Sequence, residues 1–576
     1  MLGVSVSRFR FILLGSIWVV ILCFSAAALG VSCSVAGAHT PSEAEAAFLK
    51  GDYEKAASLY GTLLKLQPND PPVVAGLAEV LLRQQKVAEA ADIIAKGLTA
   101  QPKSTLLLTK KAAVLYRQGT PWLAGGVAED AFKQDPCNAR LHLMRARLLR
   151  LNSLYAGERA EILTAHQLDP YDPEIRGEWI GTLPLKERIK ELEAYLATPT
   201  GDDAEDIRHT RTYLDALKKR DSEPRKACRL ASNTQATEIP FAFLMRDATH
   251  VRAFGLDVKL NDHRARLEID TGAGGLVVSR TVAEHAGLKA FVENEVSGIG
   301  SEGEKKAYSA YADKIQIGSL EFHDCMVEVI NSRNVVGDSD GLIGMDVLSG
   351  FLVTLDYPMQ KLVLGPLPSR PTDAGPQTPA LQTGDTSDAD QADAPAAAAS
   401  AANPEKEAAS KTPAAAAAPK GPQNRYVAPE MQNYSKVYRV GHDLIMPTAL
   451  NKPANPPKLF ILDTGSFTTT ISPEAAREIT KLRNDDSMTI HGVSGKVDKV
   501  YSADNVTFYF GSLAQVGRDV VSFDVSKISK DTGLEISGFI GATTLSQVAM
   551  HIDYRDGLVK FDYDPSRGYK RMLPTQ

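Results

Sequence analysis

The pattern of apolar and polar positions divides the chain into stretches with different periods. Residues 11–38 are uncharged and mostly apolar. From about residue 42 to 220, apolar residues recur at helical spacing, as in LKERIKELEAYLA and AEDIRHTRTYLDALKKR. From Ile239 to about Pro366 the period shortens to alternation, with Gly, Asn and Asp turns between short runs. From 367 to 424 the pattern collapses into Ala, Pro, Thr, Asp and Lys, the composition of a disordered tether. Alternation resumes at about Arg425. The chain therefore predicts a leader over 1–38, a helical array with capping helices over 42–220, a strand-rich lobe over 236–366, a linker over 367–424 and a second strand-rich lobe over 425–576.

The helical stretch is periodic at a second level. Pro68, Pro102, Pro136 and Pro170 each stand 34 residues from the next. Ala56, Ala90 and Ala124 keep the same phase, and Gly51 recurs as Gly119. Small residues there are expected to let antiparallel helices approach closely, and each proline to stop one helix before the next turn. The fourth unit departs, with Glu158 at the Ala position and Ser153 at the Gly position, as terminal repeats often do. On this period, Ser42 to Pro170 resembles the tetratricopeptide repeat family. The resemblance implies a curved solenoid whose surface binds a partner protein, a plain spacer being the alternative.

The two strand-rich lobes are copies of each other. EIDTGAGG matches ILDTGSFT, KIQIGSLEF matches TFYFGSLAQ, DGLIGMDVLS matches SGFIGATTLS, and VTLDYPMQKLVL matches MHIDYRDGLVKF. Gly344 to Asp356 and Gly541 to Asp553 both span 12 residues; Asp270 to Gly344 spans 74, and Asp463 to Gly541 spans 78. A third tripeptide, Asp531-Thr532-Gly533, has no apolar strand before it and no copy, and reads as a decoy in a loop. Apolar-apolar-Asp-Thr-Gly-Ala/Ser followed later by apolar-apolar-Gly resembles the aspartic peptidases, with Glu268 as a departure in the first lobe. The short lobes are closer to the retroviral type than to a pepsin lobe. The implied fold class is multidomain: a tetratricopeptide solenoid followed by two mostly-β, retropepsin-like barrel lobes.

Such a fold has a definite chemistry. Two carboxylates about 3 Å apart cannot both ionise, so they share a proton. Asp270 and Asp463 are the expected pair. The ionised member takes a proton from water, and the protonated one donates to the scissile carbonyl oxygen. The resemblance implies that the hydroxyls of Thr271 and Thr464 hydrogen-bond across the lobe boundary, and that Ala273 and Ser466 pack beside the carboxylates. Gly272 and Gly465 are expected to let each turn pass close to its own Asp. Gly298 and Gly300, and Gly492 and Gly495, mark hairpins that read either as flaps over an extended substrate or as ordinary surface turns. Asp356 and Asp553, each followed by Tyr, read as structural. A tether from 367 to 424 reaches about 40 Å, which favours pairing of the lobes within one chain over homodimers of each lobe.

Composition narrows the picture further. A hydrophobic share of 44% and a charged share of 23% are ordinary for globular protein. Net charge −6 and the lack of a basic run interleaved with aromatics argue against nucleic acid as partner. Arg8 and Arg10 precede the apolar leader, and Ala36-Gly37-Ala38 offers a small-residue cleavage site. That reads as a secretory signal, with an uncleaved membrane anchor as its rival, and places the protein in an exported, periplasmic or secreted setting. The five cysteines, Cys23, Cys33, Cys137, Cys228 and Cys325, form no CxxC pair, so at most one incidental disulfide is expected and no metal site. No HExxH, Ser/His/Asp or Cys/His pattern calls for a metal or cofactor. The reading is an exported aspartic endopeptidase acting on protein or peptide, its repeats recruiting substrate or partner. The alternative is a non-catalytic scaffold that binds extended peptide.

Overall fold

The computed structural model describes residues 33–224, 227–245, 251–296, 298–300, 303–332, 335, 339–370 and 425–567. Most of the expected leader and linker lie outside the described residues.

Eleven helices run from Glu43–Leu49 to Ala204–Ser222 among the described residues. Several starts carry oxygen-bearing caps: the Ser104, Asn138 and Asp172 side chains each accept a backbone N–H from the first turn. Pro68, Pro102 and Pro136 each fall two residues after a helix end, at Leu66, Ala100 and Gln134. Ala56, Ala90 and Ala124 are wholly buried, which fits close helix approach at those positions. The Gly51/Gly119 position has another cause than the one expected. It is the turn between two helices, with φ of +74° and +69°. The same turn recurs at Gln85 and Ser153, with φ of +61° and +60°. The position demands left-handed backbone, which two units meet without glycine; at Gly51 and Gly119 a Cβ would also collide with the Asp202 and Glu535 carbonyls. Across the first helices of successive units runs a ladder of ion pairs: Lys110 with Glu79, Arg140 with Glu174, Arg147 with Glu178.

Strands dominate after the array. In the first strand-rich region, hydrogen-bonded order places Leu320–Ile330 next to Leu276–Ser279, then Gly341–Gly344, His263–Asp270, Val251–Leu260 and Lys305–Ile317. Lys305–Ile317 also pairs with Leu320–Ile330, so the ends of that path meet. The second region forms a ten-stranded sheet with the same central order, Thr470–Ile471, Gly538–Ile540, Lys458–Leu462 and Asp443–Leu450. A six-stranded sheet is built from both regions. Its middle pairs Phe351–Asp356 with Ala549–Asp553, antiparallel, with Val353 opposite Ile552 and Leu355 opposite Met550. The alternation of buried and half-exposed residues along Phe351–Asp356 is what one packed face requires. One continuous apolar core, containing Leu267, Phe322 and Phe351 together with Phe460, Phe508 and Tyr554, crosses the boundary between the regions.

The array is packed against the strand-rich regions. Leu151, with Tyr116 and Trp122, shares an apolar cluster with Ile445, Leu459, Leu534 and Ile536. The Glu535 N–H donates to the Arg117 carbonyl at 2.9 Å, and Arg425 donates to Asn152 Oδ1 at 2.9 Å. These contacts come from the repeat-equivalent turns after Arg117 and Leu151. The last helix of the array also reaches both regions: Arg208 bridges Glu295 and Glu304 of the first, and Glu205 pairs with Lys530 of the second at 3.1 Å.

Two disulfides are present, where the sequence suggested at most one. Cys228 precedes a short strand that pairs Arg229 with His323, which brings it to Cys325. Cys33 joins Cys137, and the Ala36 N–H donates to the Leu168 carbonyl at 2.8 Å. The described part of the expected leader thus lies on the array, and a cut after Ala38 would discard Cys33. Sequence separations of 97 and 104 residues hid both pairings.

Both edges of the linker return to one turn. Arg370 pairs with Asp556, Arg555 donates to the Pro368 carbonyl at 2.6 Å, and Arg425 donates to the Gly557 carbonyl at 2.9 Å. A 40 Å reach is therefore not needed. Replacing 371–424 with about a dozen Gly/Ser residues, which extend to about 40 Å, is expected to leave thermal melting and gel-filtration volume unchanged. A drop in melting temperature, or self-association, would assign the linker a role in assembly.

Candidate active site

Asp270 ends the strand His263–Asp270, and Asp463 directly follows the strand Lys458–Leu462. Each of these strands runs parallel to an apolar-apolar-Gly strand. Gly344 stands opposite Asp270 in register, Leu462 stands opposite Ile540, and the Asp463 N–H donates to the Ile540 carbonyl at 3.0 Å. The two sequence motifs recur together because each aspartate-bearing strand leans on its glycine-ended neighbour. Glu268, the departure from the family pattern, is buried and paired with Arg252 at 2.8 Å.

The structure brings Asp270 and Asp463 side by side. The Gly272 N–H donates to Asp270 Oδ1 at 2.9 Å, and the Gly465 and Ser466 N–H groups donate to Asp463 Oδ1 at 2.9 Å each. The glycines serve a purpose the sequence did not suggest. A Cβ on Gly272 would sit 2.7 Å from the carboxyl carbon of Asp463, and one on Gly465 would collide with the carboxyl group of Asp270. Each glycine makes room for the other region's aspartate rather than only for its own.

Thr271 and Thr464 form a reciprocal lattice beneath the pair. The Thr271 hydroxyl donates to the Leu462 carbonyl at 2.7 Å and accepts the Thr464 N–H at 3.0 Å. The Thr464 hydroxyl donates to the Ile269 carbonyl at 3.0 Å and accepts the Thr271 N–H at 3.1 Å. Both threonines are buried, and on each side three polar groups, a hydroxyl, an N–H and a carbonyl, pair with the opposite region. Ser466 touches a carboxylate through its N–H, whereas Ala273 packs with Val277, Leu342 and Val493.

Burial pushes the Asp270 carboxyl above its ordinary range, with the Gly272 N–H pulling the other way. Asp463 is pushed well above, first by burial and then by the Asp270 charge. Two buried acids held together in this way retain one proton between them at pH values where a free carboxyl would lose it.

The two glycine-bearing hairpins meet at their tips. The Gly298 N–H donates to Ser494 Oγ at 3.0 Å, and the Ser494 N–H donates to the Ile299 carbonyl at 3.0 Å. Gly300 has φ +130° and Gly495 has φ +87°. Each tip leans on the opposite region: Ile299 packs with Leu459 and Phe539, and Val493 packs with Ala273 and Leu342. Ser494 was not singled out in the sequence, although it stands between the two chosen glycines, Gly492 and Gly495.

Other placements follow the sequence in part. Asp356 and Asp553 accept the N–H groups of Met359 and Asp556, as turn-capping residues do. The third Asp-Thr-Gly closes the helix Ser526–Thr532, with Gly533 as its left-handed cap, so it is a helix end rather than a loop. Three groups near the pair were missed. Asp346 accepts the Gly275 N–H at 3.1 Å, Asp443 is pushed up by burial, and His442 lies against Gly274. Asp346 was legible only as a difference between copies, GMD against GAT. Away from the pair, Glu205 and His209 of the helix Ala204–Ser222 gather with Glu304, held by Arg208 and Lys530.

Comparison with known proteins meets this geometry. Residues 256–347 match the aspartyl protease family model. That span contains Asp270, Gly272 and Gly344. Residues 47–114 match a tetratricopeptide repeat model. The chain therefore carries an aspartyl protease domain and tetratricopeptide repeats, which together support a protease with a repeat region. It is 30% identical over 111 residues to DNA damage-inducible protein 1 of Neurospora crassa, a match covering 19% of this chain and 24% of that protein. The chain thus spans about a quarter of the curated relative it matches. A thermophilic TPR protein of Thermus thermophilus is 23% identical, with 29% of this chain and 91% of that chain covered at a TM-score of 0.24. Among the described residues, no helix is long and apolar enough to cross a membrane.

Proposed function

We propose that this chain is an exported aspartic endopeptidase whose two strand-rich regions act as the lobes of one enzyme. The observation that carries the reading is the reciprocal Thr271–Thr464 lattice, which sets Asp270 and Asp463 side by side from opposite regions. In this mechanism, the ionised carboxyl takes a proton from a water as its oxygen attacks the scissile carbonyl carbon. The protonated carboxyl donates to the carbonyl oxygen, giving a neutral gem-diol. That intermediate collapses as the C–N bond breaks: the pair's proton passes to the amine nitrogen, a gem-diol hydroxyl returns its proton to the pair as the acid carbonyl forms, and the pair again shares one.

Other features support the finer parts of this reading. The meeting of sheet ends in the first region supports a barrel lobe. The hairpin tips, each leaning across to the other region, support flaps that part for an extended chain. Two disulfides support an oxidising, exported setting. The repeats suggest protein–protein interaction, and their outer surface is proposed to recruit a substrate or partner protein.

The test is cleavage of an unfolded protein by the chain, followed by mass spectrometry of the products from acid to neutral pH. Because burial raises both carboxyls, activity is expected to extend above the range of ordinary carboxylates. Peptide binding without cut products at any pH would leave a recognition scaffold instead.

A further inference from the structure

The two halves of the site are not equivalent, and the difference lies around Asp270. His442 follows Gly441 in the tight turn between Tyr438–Val440 and Asp443–Leu450, in the second region. Its ring reaches the turn after Asp270 in the first. A Cβ on Gly274 would lie 2.7 Å from His442 Nδ1, so only a bare backbone leaves room for the imidazole. The corresponding turn of the second region carries Ser466-Phe467-Thr468, with Phe467 exposed.

The groups that face His442 are mostly acidic. Asp443, its chain neighbour, is 3.5 Å from Nε2. Asp346 holds the next residue of the same turn, accepting the Gly275 N–H at 3.1 Å. Asp270 lies within its field, as does Asp346. Arg439, on the same hairpin, is spent on the Tyr554 and Gly441 carbonyls at 2.7 and 3.1 Å, with its guanidinium over the Tyr554 ring. The second region has Thr543 in place of Asp346. Backbone donors by themselves favour charge on Asp463, which accepts the Gly465 and Ser466 N–H groups, whereas Asp270 accepts that of Gly272. A cation beside Asp270 acts against that bias.

We infer that His442 is a positioning residue for the pair: its imidazole seats the turn after Asp270 and supplies the positive charge that makes Asp270, rather than Asp463, the ionised member. This rests on the proposed peptidase reading. Asp270 is then the water-activating base and Asp463 the proton donor. A cation beside a carboxylate favours its ionised form, so removing that charge moves the acid limb of the activity profile upward.

The experiment compares kcat/KM against pH for wild type, His442→Gln and His442→Lys in the full chain. At the wild-type acid-limb midpoint, His442→Gln is expected to lose about three- to tenfold, while the plateau stays within about twofold and thermal melting is little changed. His442→Lys is expected to return the limb toward wild type, which a purely structural role would not allow. Overlay of the His442→Gln and wild-type profiles would overturn the inference, as would equal losses for His442→Gln and His442→Lys at every pH. Asp270→Asn, run in parallel, separates the two failures: if it retains cleavage, the shared Asp270/Asp463 site on which the inference rests falls; if it loses cleavage while the His442 profiles overlay, only the role of His442 falls.

Discussion

Asn at either Asp270 or Asp463 is expected to lower peptide-bond cleavage by about two to four orders of magnitude, the range over which a positioned acid or base contributes. Each single variant should suffer alike, because one variant lacks the base and the other lacks the proton donor. The double variant should fall little further, since groups that act as a unit lose their function together. The same variants should move stability in the opposite sense. Burial raises both carboxyls, and the Asp270 charge raises Asp463 further. For a group whose folded value is raised, the stabilising contribution is present below the unfolded value and is lost as pH rises through the folded one. Wild type should therefore lose ground from acid toward neutral pH, while Asp463→Asn, left with only Asp270 to ionise, should lose less. Melting curves against pH for the two proteins should diverge upward in favour of the variant. A variant that keeps substantial cleavage would mean that its lobe is not part of a shared site. A variant less stable than wild type across the whole range would mean that the carboxyl is needed as a hydrogen-bond hub rather than held under strain.

The sequence disclosed most where a rule repeats. A 34-residue step in the prolines marked the helical array because a chain stop must fall at the same point of every unit. The paired motifs disclosed Asp270 and Asp463 because a strand that ends in a carboxylate needs a glycine-ended neighbour, and the chain contains that arrangement twice. What stayed hidden is contact between segments far apart. Nothing near Cys228 points to Cys325, and nothing near Gly272 indicates that its bare α-carbon faces Asp463, 191 positions along. The turn at Gln85 and Ser153 was missed for a different reason. Its left-handed backbone is usually advertised by glycine, and here the two units tolerate a side chain. His442 was invisible, and Asp346 showed only as a difference between the copies, because the cluster joins a hairpin turn of one region to two turns of the other.

Thr271→Val and Thr464→Val are each expected to cost about 2–4 kcal/mol, from two buried hydrogen bonds lost with their partners left unpaired. Valine keeps the shape of threonine, so packing alone should change little. Thr271→Val strands the Leu462 carbonyl and the Thr464 N–H; Thr464→Val strands the Ile269 carbonyl and the Thr271 N–H. All four groups lie beneath the aspartates at the boundary between regions, so cleavage should fall with stability. The two losses should not add, because each hydroxyl helps to place the other's backbone. Serine at either position retains the hydroxyl and removes one methyl group, so Thr271→Ser and Thr464→Ser should cost only about 1 kcal/mol. Chemical denaturation of the five proteins decides the matter. If valine and serine cost the same, the lattice is a packing feature, and the register of Asp270 against Asp463 must come from the shared sheet of Phe351–Asp356 and Ala549–Asp553. If valine costs several times more than serine, the hydroxyl pair is what locks the two regions into a single site.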